Sequence, residues 1–257
     1  MSKRNTQQRR HTIITLLNLE GEVSVDTLAK KFETSEVTIR KDLAILENSG
    51  LLLRRYGGAI KLPNEITDSK SENLSQRKMA IAQKAAMMIK DHNRIIIDSG
   101  HTTSAIVYEL NSKKGLVVMT NSLAIANKLQ TLENEPTLLM TGGTWDTHSE
   151  SFQGKVAENS LRSYDFDQLF IGADGIDIAR GSTTFNELIG LSRVMAEVSR
   201  EVIVLVESEK FNRKIPNVEI AINQIHTIIT DNDLPEEKRK QLINQGVNLI
   251  IADQNLK

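Results

Sequence analysis

Helical and β-rich segments alternate from residue 77 to the end of the chain. The first of them, 77–89, carries Ile81, Ala85 and Met88 at helical spacing and predicts a helix. Seven β-rich segments interspersed with helical patterns follow, at 94–97, 116–119, 137–140, 168–171, 201–206, 227–230 and 248–251. The alternation predicts an α/β domain with a mainly parallel sheet covered by helices, which binds ligands in loops at the carboxyl ends of its strands.

Composition narrows the class of protein. The 257 residues are 39% hydrophobic and 25% charged, which is typical of globular proteins and excludes a disordered or fibrous chain. No apolar run approaches the roughly 20 residues of a membrane-spanning helix, and no hydrophobic segment follows the first charged residues. The lack of cysteine excludes disulfides, thiolate nucleophiles and Cys-based zinc sites. We expect a soluble cytoplasmic protein with no membrane contact.

The formal net charge of −1 hides a division along the chain. Residues 1–63 hold eleven Lys and Arg against seven Asp and Glu, a balance of +4, whereas the remainder has a balance of −5. The polar, aperiodic stretch 63–73 begins with Pro63, as is typical of exposed linkers. The sequence thus predicts a basic domain at 1–62, a linker at 63–75 and a second domain at 76–257.

Three helical patterns occupy the basic domain. The first spans 7–19 and stops at Gly21, and the second is short and packs through Leu28. A tight turn at 33–35 leads to the third, at 36–48, which Ser35 caps. This order of helix, helix, tight turn and helix is that of a helix-turn-helix domain.

The third helix has a packing face and a free face. Ile39, Leu43 and Leu46 share one side, while short side chains and long cations occupy the other, as in a helix that reads the DNA major groove. Residues 51–60 then form two strand-like runs around a Gly57-Gly58 turn, which predicts a β wing that contacts phosphates. The expected DNA contacts are Ser35, Glu36, Thr38, Arg40, Lys41, Arg54, Arg55 and Tyr56, with base or near-base contacts from Thr38, Arg40 and Lys41.

A small amphipathic three-helix unit with solvated cations would show the same pattern. The residues themselves favour DNA binding, because the stretches 35–43, 46–47 and 54–59 resemble the N-terminal signature of the DeoR family of bacterial regulators. The resemblance implies a winged helix-turn-helix that binds double-stranded operator DNA.

Polar and glycine-rich loops follow three of the predicted strands. Asp98, Ser99, Gly100, His101, Thr102 and Thr103 follow the first, Asn121 and Ser122 the second, and Gly142 and Gly143 the third. Each loop alone is typical of an ordinary turn or helix cap. Because all three lie at one edge of the predicted sheet, their glycines and hydroxyls together predict an anion pocket.

A fourth cluster contains Asp174, Asp177, Glu187 and Lys210 in loops. The set could move protons beside a carbonyl, with Glu187 as base and the other three as electrostatic partners, which would make the protein a sugar-phosphate isomerase. It could equally hold sugar hydroxyls without chemistry.

The second domain also resembles the DeoR family, through 98–103, 120–122, 142–143, 172–177 and 208–211. The resemblance implies a sensor similar in fold to ribose-5-phosphate isomerase, which binds a phosphorylated sugar or sugar alcohol that weakens DNA binding. It also implies that 98–100, Thr102 and Thr103 hold the phosphate, while Asp174, Asp177, Glu187 and Lys210 line the pocket. The isomerase pattern has Lys-Gly-Gly-Gly where this chain has Arg180-Gly181-Ser182-Thr183, which argues against catalysis. Within the family, 119–123 and 183–187 resemble the repressors of glucitol operons, and those of amino-sugar operons share much of this sequence.

The remaining candidates add no chemistry. The five histidines show no metal-ligand spacing, so no metal or cofactor is expected, and Trp145 could cover the pocket or serve a core or interface. We therefore expect a repressor of a carbohydrate-utilisation operon. It would be a homo-oligomer, a dimer or tetramer, because two reading heads must match the operator spacing, and its effector would favour a conformation that cannot hold them there.

Overall fold

The computed structural model describes residues 3–48, 52–60, 75–147, 149–186, 188–213, 215 and 217–253. The chain divides into two compact units between Glu72 and Asn73. The first unit has one hydrophobic core and the second has two. No helix in the described ranges is long and apolar enough to cross a membrane.

The described residues of the first unit form three helices and a small antiparallel sheet. Its elements are α1 (Lys3–Glu20), β1 (Glu22–Ser24), α2 (Val25–Lys31), α3 (Glu36–Asn48), β2 (Leu53–Arg55) and β3 (Gly58–Ile60). Strand β3 pairs with β1 on one side and β2 on the other. The winged helix-turn-helix predicted from the sequence is confirmed.

The third helix begins and packs as predicted. The backbone N–H of Thr38 donates to the Ser35 hydroxyl at 3.2 Å, which caps the first turn. Ile39, Leu43 and Leu46 are buried in the core of the unit. The opposite face of α3 is therefore left for a partner.

The wing differs from the prediction in the position of its turn. The two turn residues are Tyr56 and Gly57, and Gly57 has a φ of 80°. Gly58 instead belongs to β3, opposite Arg55. A Cβ at Gly58 would lie 2.1 Å from the carbonyl oxygen of Val23 in β1, so glycine is required by this close approach. The sequence pattern gave no sign of β1.

The second unit is an α/β domain. Its helices are α4 (Gln76–Met88), α5 (His101–Ala105), α6 (Leu123–Leu129), α7 (Lys155–Leu161), α8 (Gly190–Glu197) and α9 (Glu236–Asn244), with 3₁₀ helices at Ile106–Glu109, Ser208–Asn212 and Ile222–Gln224. Its strands are β4 (Arg94–Ile97), β5 (Val117–Thr120), β6 (Thr137–Met140), β7 (Thr144–Asp146), β8 (Ser151–Gln153), β9 (Phe166–Gly172), β10 (Gly175–Asp177), β11 (Gly181–Thr184), β12 (Ser199–Leu205), β13 (Asn217–Ala221), β14 (Thr227–Asp231) and β15 (Asn248–Ala252).

Seven of these strands form one parallel sheet in the order β15-β14-β12-β9-β4-β5-β6. Each of the seven predicted β-rich segments forms one of them. Side chains alternate between the two faces, so that Ile95 and Ile97 join one core and Ile96 the other. Helices α4, α5 and α6 cover the first face, and α7, α8 and α9 cover the second.

The strand order reverses at the centre of this sheet, and we call the space outside the carboxyl ends of β4 and β9 the crevice. The chain proceeds from β4 to β5 and β6 in one direction, and from β9 to β12, β14 and β15 in the other. Ligands of such sheets bind outside the carboxyl ends of the strands at this reversal, here between β4 and β9. Two further elements were not predicted: the β7–β8 hairpin and the antiparallel sheet β10-β11-β13.

Candidate functional site

The outer face of α3 and the wing form the candidate DNA-reading surface. Arg40 and Lys41 are exposed on α3, Thr38 is half-buried, and Tyr56 is fully exposed at the wing turn. Among the residues that the structure describes, Lys41 has no ion-pair partner. Short side chains let a helix approach the floor of the major groove, and a cation without a partner can then contact base edges.

Three arginines of this reading surface are paired with carboxylates. Arg40 contacts Glu36 one helical turn earlier at 2.5 Å. Arg54 Nε donates to Glu47 Oε2 at 2.8 Å, and the Arg54 backbone N–H donates to Oε1 of the same carboxylate at 2.9 Å. On the other side of the wing, Arg55 contacts Glu22 of β1. Glu36 and Arg40 are both expected DNA contacts, and the Glu36 carboxylate neutralises the charge of Arg40.

Asp42 holds a buried ion cluster that the sequence pattern did not reveal. Its two carboxylate oxygens accept from Arg9 Nε at 2.6 Å and Arg10 Nε at 2.7 Å. Asp42 and Arg9 are only 2% and 8% exposed. The two arginines therefore connect α1 to α3, and the Asp42 carboxylate partly neutralises their charges.

In the second unit, the loops after β4 and β5 are joined by hydrogen bonds. Asn121 Nδ2 donates to Asp98 Oδ1 at 2.8 Å, and Asn121 Oδ1 accepts from the Ser99 N–H at 3.0 Å. Asn121 is buried, while Asp98 and Ser99 are half-buried. The structure thus brings together these two predicted loops at the crevice.

The rest of the loop after β4 turns into α5. Gly100 has a φ of 150°, which favours glycine, and its carbonyl accepts from Thr103 Oγ1 at 3.0 Å. Thr102 and Thr103 are buried, whereas His101 is exposed. Ser104 Oγ accepts from Lys128 Nζ at 2.8 Å, which fixes a lysine of α6 beside this loop.

The positive charges of lysines from three different elements act on His101. Partial burial and the positive charges of Lys78, Lys128 and Lys210 lower the pKa of His101 below its ordinary value, against the opposite effect of Glu150. Lys210 Nζ also donates to the Ala173 carbonyl at 3.1 Å, directly after β9. This cationic loop, consisting of residues 98–103 with Lys78, Lys128 and Lys210 around it, has the charge that a phosphate requires.

Carboxyl groups also lie among these loops. Burial raises the pKa of Asp98 to about 6, although Asn121 and the Ser99 N–H oppose this by hydrogen bonding to the carboxylate. Burial likewise raises the pKa of Glu219 on β13 to about 8, and the charges of Asp98 and Asp174 add to the rise. Asp174 Oδ2 accepts from the Thr184 hydroxyl at 2.8 Å. Carboxyl groups of this kind can bind the hydroxyls of a sugar.

Several predicted pocket residues have structural tasks. Ser122 caps α6 by accepting from the Ile125 N–H at 3.4 Å. Asp177 Oδ1 accepts from the N–H groups of Ala179 and Arg180, which closes the turn between β10 and β11. Glu187 lies outside the described residues.

Gly142 and Gly143 lie between β6 and the β7–β8 hairpin. A Cβ at Gly143 would lie 2.5 Å from the Gln153 carbonyl oxygen, so the close packing of these two segments requires glycine here. The hairpin reaches the crevice, because the Phe152 N–H donates to the Asn121 carbonyl at 2.8 Å. Trp145 packs edge-on against Phe152 and is 40% exposed, which excludes the core position considered for it.

The sequence analysis missed three charged residues near these loops: Lys78, Lys128 and Glu219. Lys78 lies on α4, before the first sheet strand, and Glu219 on a strand that was not predicted, so only the fold places them near the loops. Lys128 follows Asn121 by two helical turns, which is a signal that could have been used. Among the described residues, no group of three or more acidic or histidine side chains could hold a metal ion.

Two family descriptions match the chain. Residues 9–64 match the DeoR-like helix-turn-helix domain, and residues 73–232 match the DeoR C terminal sensor domain. The second match alone covers more than half of the chain, and the first corresponds to the unit that contains the wing.

Proteins similar over the full length have regulatory names. A "putative aga operon transcriptional repressor" of Escherichia coli O157:H7 is 38% identical over 96% of this chain and 94% of its own. The "lactose phosphotransferase system repressor" of Lactococcus lactis subsp. lactis is 30% identical over 97% of this chain and 100% of its own. A solved ribose 5-phosphate isomerase from Methanocaldococcus jannaschii is 18% identical with a TM-score of 0.39, over 53% of this chain and 54% of its own. The chain belongs to the DeoR family and is a DNA-binding transcriptional regulator.

Proposed function

We propose that this regulator represses a carbohydrate-utilisation operon and leaves its operator when a phosphorylated sugar or sugar alcohol binds to the second unit. The observation that carries the proposal is the cationic loop at the strand-order reversal. There, a loop rich in hydroxyl groups contains His101, and the charges of three lysines act on this residue. The names of the relatives, which refer to the aga operon and to lactose uptake, support the carbohydrate class.

The crevice suits a ligand with two chemically different ends. The phosphate would lie at Ser99, Gly100, His101, Thr102 and Thr103, next to the three lysines. Hydroxyls of the sugar would reach the carboxyl groups of Asp98, Asp174 and Glu219. We assign Lys78, Lys128 and Glu219 to the effector site in addition to the residues expected from the sequence.

Lys78 offers a route from the effector to the DNA-binding unit. It lies in the first turn of α4, the helix that directly follows the linker in sequence, and its Nζ is 3.9 Å from Glu207 Oε2. Ser75, the N-cap of the same helix, donates to Glu207 Oε1 at 3.2 Å. A phosphate that draws Lys78 away from Glu207 would loosen the start of α4, the helix that directly follows the linker in sequence.

The protein would act in the cytoplasm as a homo-oligomer, a dimer or tetramer, with a DNA-binding domain at 1–62 and a sensor at 76–257. Two reading heads at fixed spacing are what a palindromic operator requires.

Isomerase activity is the second candidate, and we propose that it is absent. Asp177 is engaged in a turn, and Arg180 stands where the isomerase pattern has lysine. Incubation with pentose and hexose phosphates, followed by analysis of the products, should show no turnover.

Fluorescence anisotropy with DNA from upstream of its own gene and neighbouring operons tests the proposal at fixed salt. We expect one fragment to bind more tightly than random DNA and to be released by one member of a sugar-phosphate panel. The unphosphorylated sugar and inorganic phosphate serve as controls. Equal binding to all fragments, or release by none of the compounds, would contradict the proposal.

A further inference from the structure

The DNA-reading surface carries almost no free positive charge. Its four described cations on α3 and the wing are Arg40, Lys41, Arg54 and Arg55, and three carboxylates lie within ion-pair distance of three of them. These carboxylates belong to Glu36, Glu47 and Glu22. The pairing leaves Lys41 as the one cation among these four without a described partner.

Stability does not explain the most exposed of these pairs. Arg55 and Glu22 have side chains that are 51% and 61% exposed, and ion pairs in water of this kind contribute little to folding. Arg40 and Glu36 are similarly exposed, at 56% and 49%. The Glu47 carboxylate, at 26%, also holds the backbone of the wing and so has a structural use as well.

The same pairs have a direct effect on DNA binding. Affinity for DNA of any sequence arises mainly from cations that neutralise phosphates and release their counterions. An arginine that is already paired can contact a phosphate only if it leaves its carboxylate or bridges the carboxylate and the phosphate. In either case the negative charge of the carboxylate repels the DNA. Each such glutamate therefore reduces the gain that its arginine can provide.

We propose that Glu22, Glu36 and Glu47 attenuate the affinity of this unit for DNA, so that a single reading head binds weakly and the operator complex depends on two heads held together. The inference rests on the proposed function, in which this surface contacts DNA. Attenuation makes release possible, because a change in the sensor that separates the heads then leaves two weak contacts rather than one strong one.

Glu22→Gln is the most direct variant, because it keeps the shape of the side chain and Glu22 has no predicted DNA contact. Its effect should pass through Arg55, so the experiment is a double-mutant cycle with Arg55→Ala. Glu20→Gln is the matched control, because it changes the net charge by the same amount as Glu22→Gln. Glu20 is exposed and has no ion-pair partner among the described residues. Binding of the full chain to a random duplex of about 30 base pairs is measured by anisotropy across a salt series.

We expect Glu22→Gln to tighten binding to random DNA about two- to five-fold and to steepen the salt dependence by up to about one unit of slope. In the Arg55→Ala background the same change should tighten binding no more than the control Glu20→Gln does, because only the general repulsion between a carboxylate and DNA is left to relieve. Equal gains from Glu22→Gln and Glu20→Gln in the wild-type background, or a gain from Glu22→Gln that is as large without Arg55 as with it, would overturn the inference while leaving DNA binding intact. If the wild-type protein bound no DNA at all, the proposed function would fall together with the inference.

Discussion

Asn121 joins the loops after two neighbouring strands through both ends of its amide. Its Nδ2 donates to Asp98 Oδ1 at 2.8 Å, while its Oδ1 accepts from the Ser99 N–H at 3.0 Å. The Asn121 side chain is fully buried, so both hydrogen bonds are made away from bulk water. The shape of the cationic loop therefore depends on a residue from the adjacent strand end.

Asn121→Ala should both destabilise the second unit and reduce the response to effector. The substitution removes one hydrogen bond from the Asp98 carboxylate and one from the Ser99 N–H, which costs about 1–3 kcal/mol. We expect urea unfolding to shift by this amount and the effector concentration for half-release of DNA to rise about ten-fold. Asn127→Ala, on the exposed face of α6, is the control. An unchanged effector response would contradict the role of this loop.

Lys78→Met should weaken effector binding and, because it also removes the contact with Glu207, it should weaken DNA binding in the absence of effector. The side chain of Lys78 is 14% exposed, and its charge acts on the loop that contains His101. Removing one of three cations around a phosphate should raise the effector concentration needed for release about ten-fold or more. Lys84→Met, on the same helix, tests whether a loss of charge alone is sufficient. If both variants respond like the wild type, Lys78 is not part of the site.

The main sheet could be predicted because its strands lie inside the protein. Strands covered on both faces contain continuous apolar runs, such as 169–171 in β9 and 202–205 in β12, and these runs stand out from the amphipathic helices between them. The strand β11 has the sequence Gly-Ser-Thr-Thr, yet all four residues are buried. Its burial depends on partners such as the Ile220 N–H, which donates to Ser182 Oγ, and no local pattern predicts this.

The site was predictable to the extent that it follows strand ends. The positions of Asp98, Ser99 and Asn121 result from the rule that parallel strands place their carboxyl ends at one edge. Lys78 and Glu219 come from elements whose position relative to that edge depends on the whole fold. In the first unit, the pairing of Arg55 with Glu22 depends on β1, whose three residues are too few for a strand pattern.

Asp42→Ala should unfold the first unit or nearly so. The variant leaves the buried Arg9 charge without its carboxylate, and breaking a buried pair in this way costs about 3–5 kcal/mol. Limited proteolysis of the full chain should show cleavage within the first unit, accompanied by loss of DNA binding. Asp26→Ala removes an exposed pair with Lys30, for which a cost of about 0.3–0.5 kcal/mol is expected. Similar resistance of both variants would show that the Asp42 cluster is dispensable.

Lys41→Ala should reduce the discrimination between operator and random DNA. Lys41 is the unpaired cation on the outer face of α3, and loss of a base contact typically costs about 1–3 kcal/mol of discrimination. Titrations with both duplexes at one salt concentration give the ratio of affinities. Lys31→Ala, at the end of α2, should weaken both complexes by a similar factor if it contacts phosphate at all. An unchanged ratio for Lys41→Ala would exclude a base contact.

Glu219 should make the protein less stable as the pH rises. Its pKa is raised by burial from 4.5 to about 8, and Ser192 Oγ lies 2.7 Å from Oε1. Between these two pH values the folded protein binds a proton that the unfolded chain has lost, so the free energy of unfolding falls throughout this window.

Glu219→Gln cannot ionise, so it should match the wild type near pH 4.5 and exceed it near pH 8, by an amount on the order of 2–4 kcal/mol. Urea unfolding at several pH values measures the difference. Glu158→Gln is a contrast, because the hydrogen bond from Lys155 lowers the pKa of Glu158. The stability that Glu158 contributes is present above its ordinary pKa and is lost as the pH falls through its lowered value. A constant difference between wild type and Glu219→Gln from pH 4.5 to 8 would show that the Glu219 carboxyl is not buried in its neutral form.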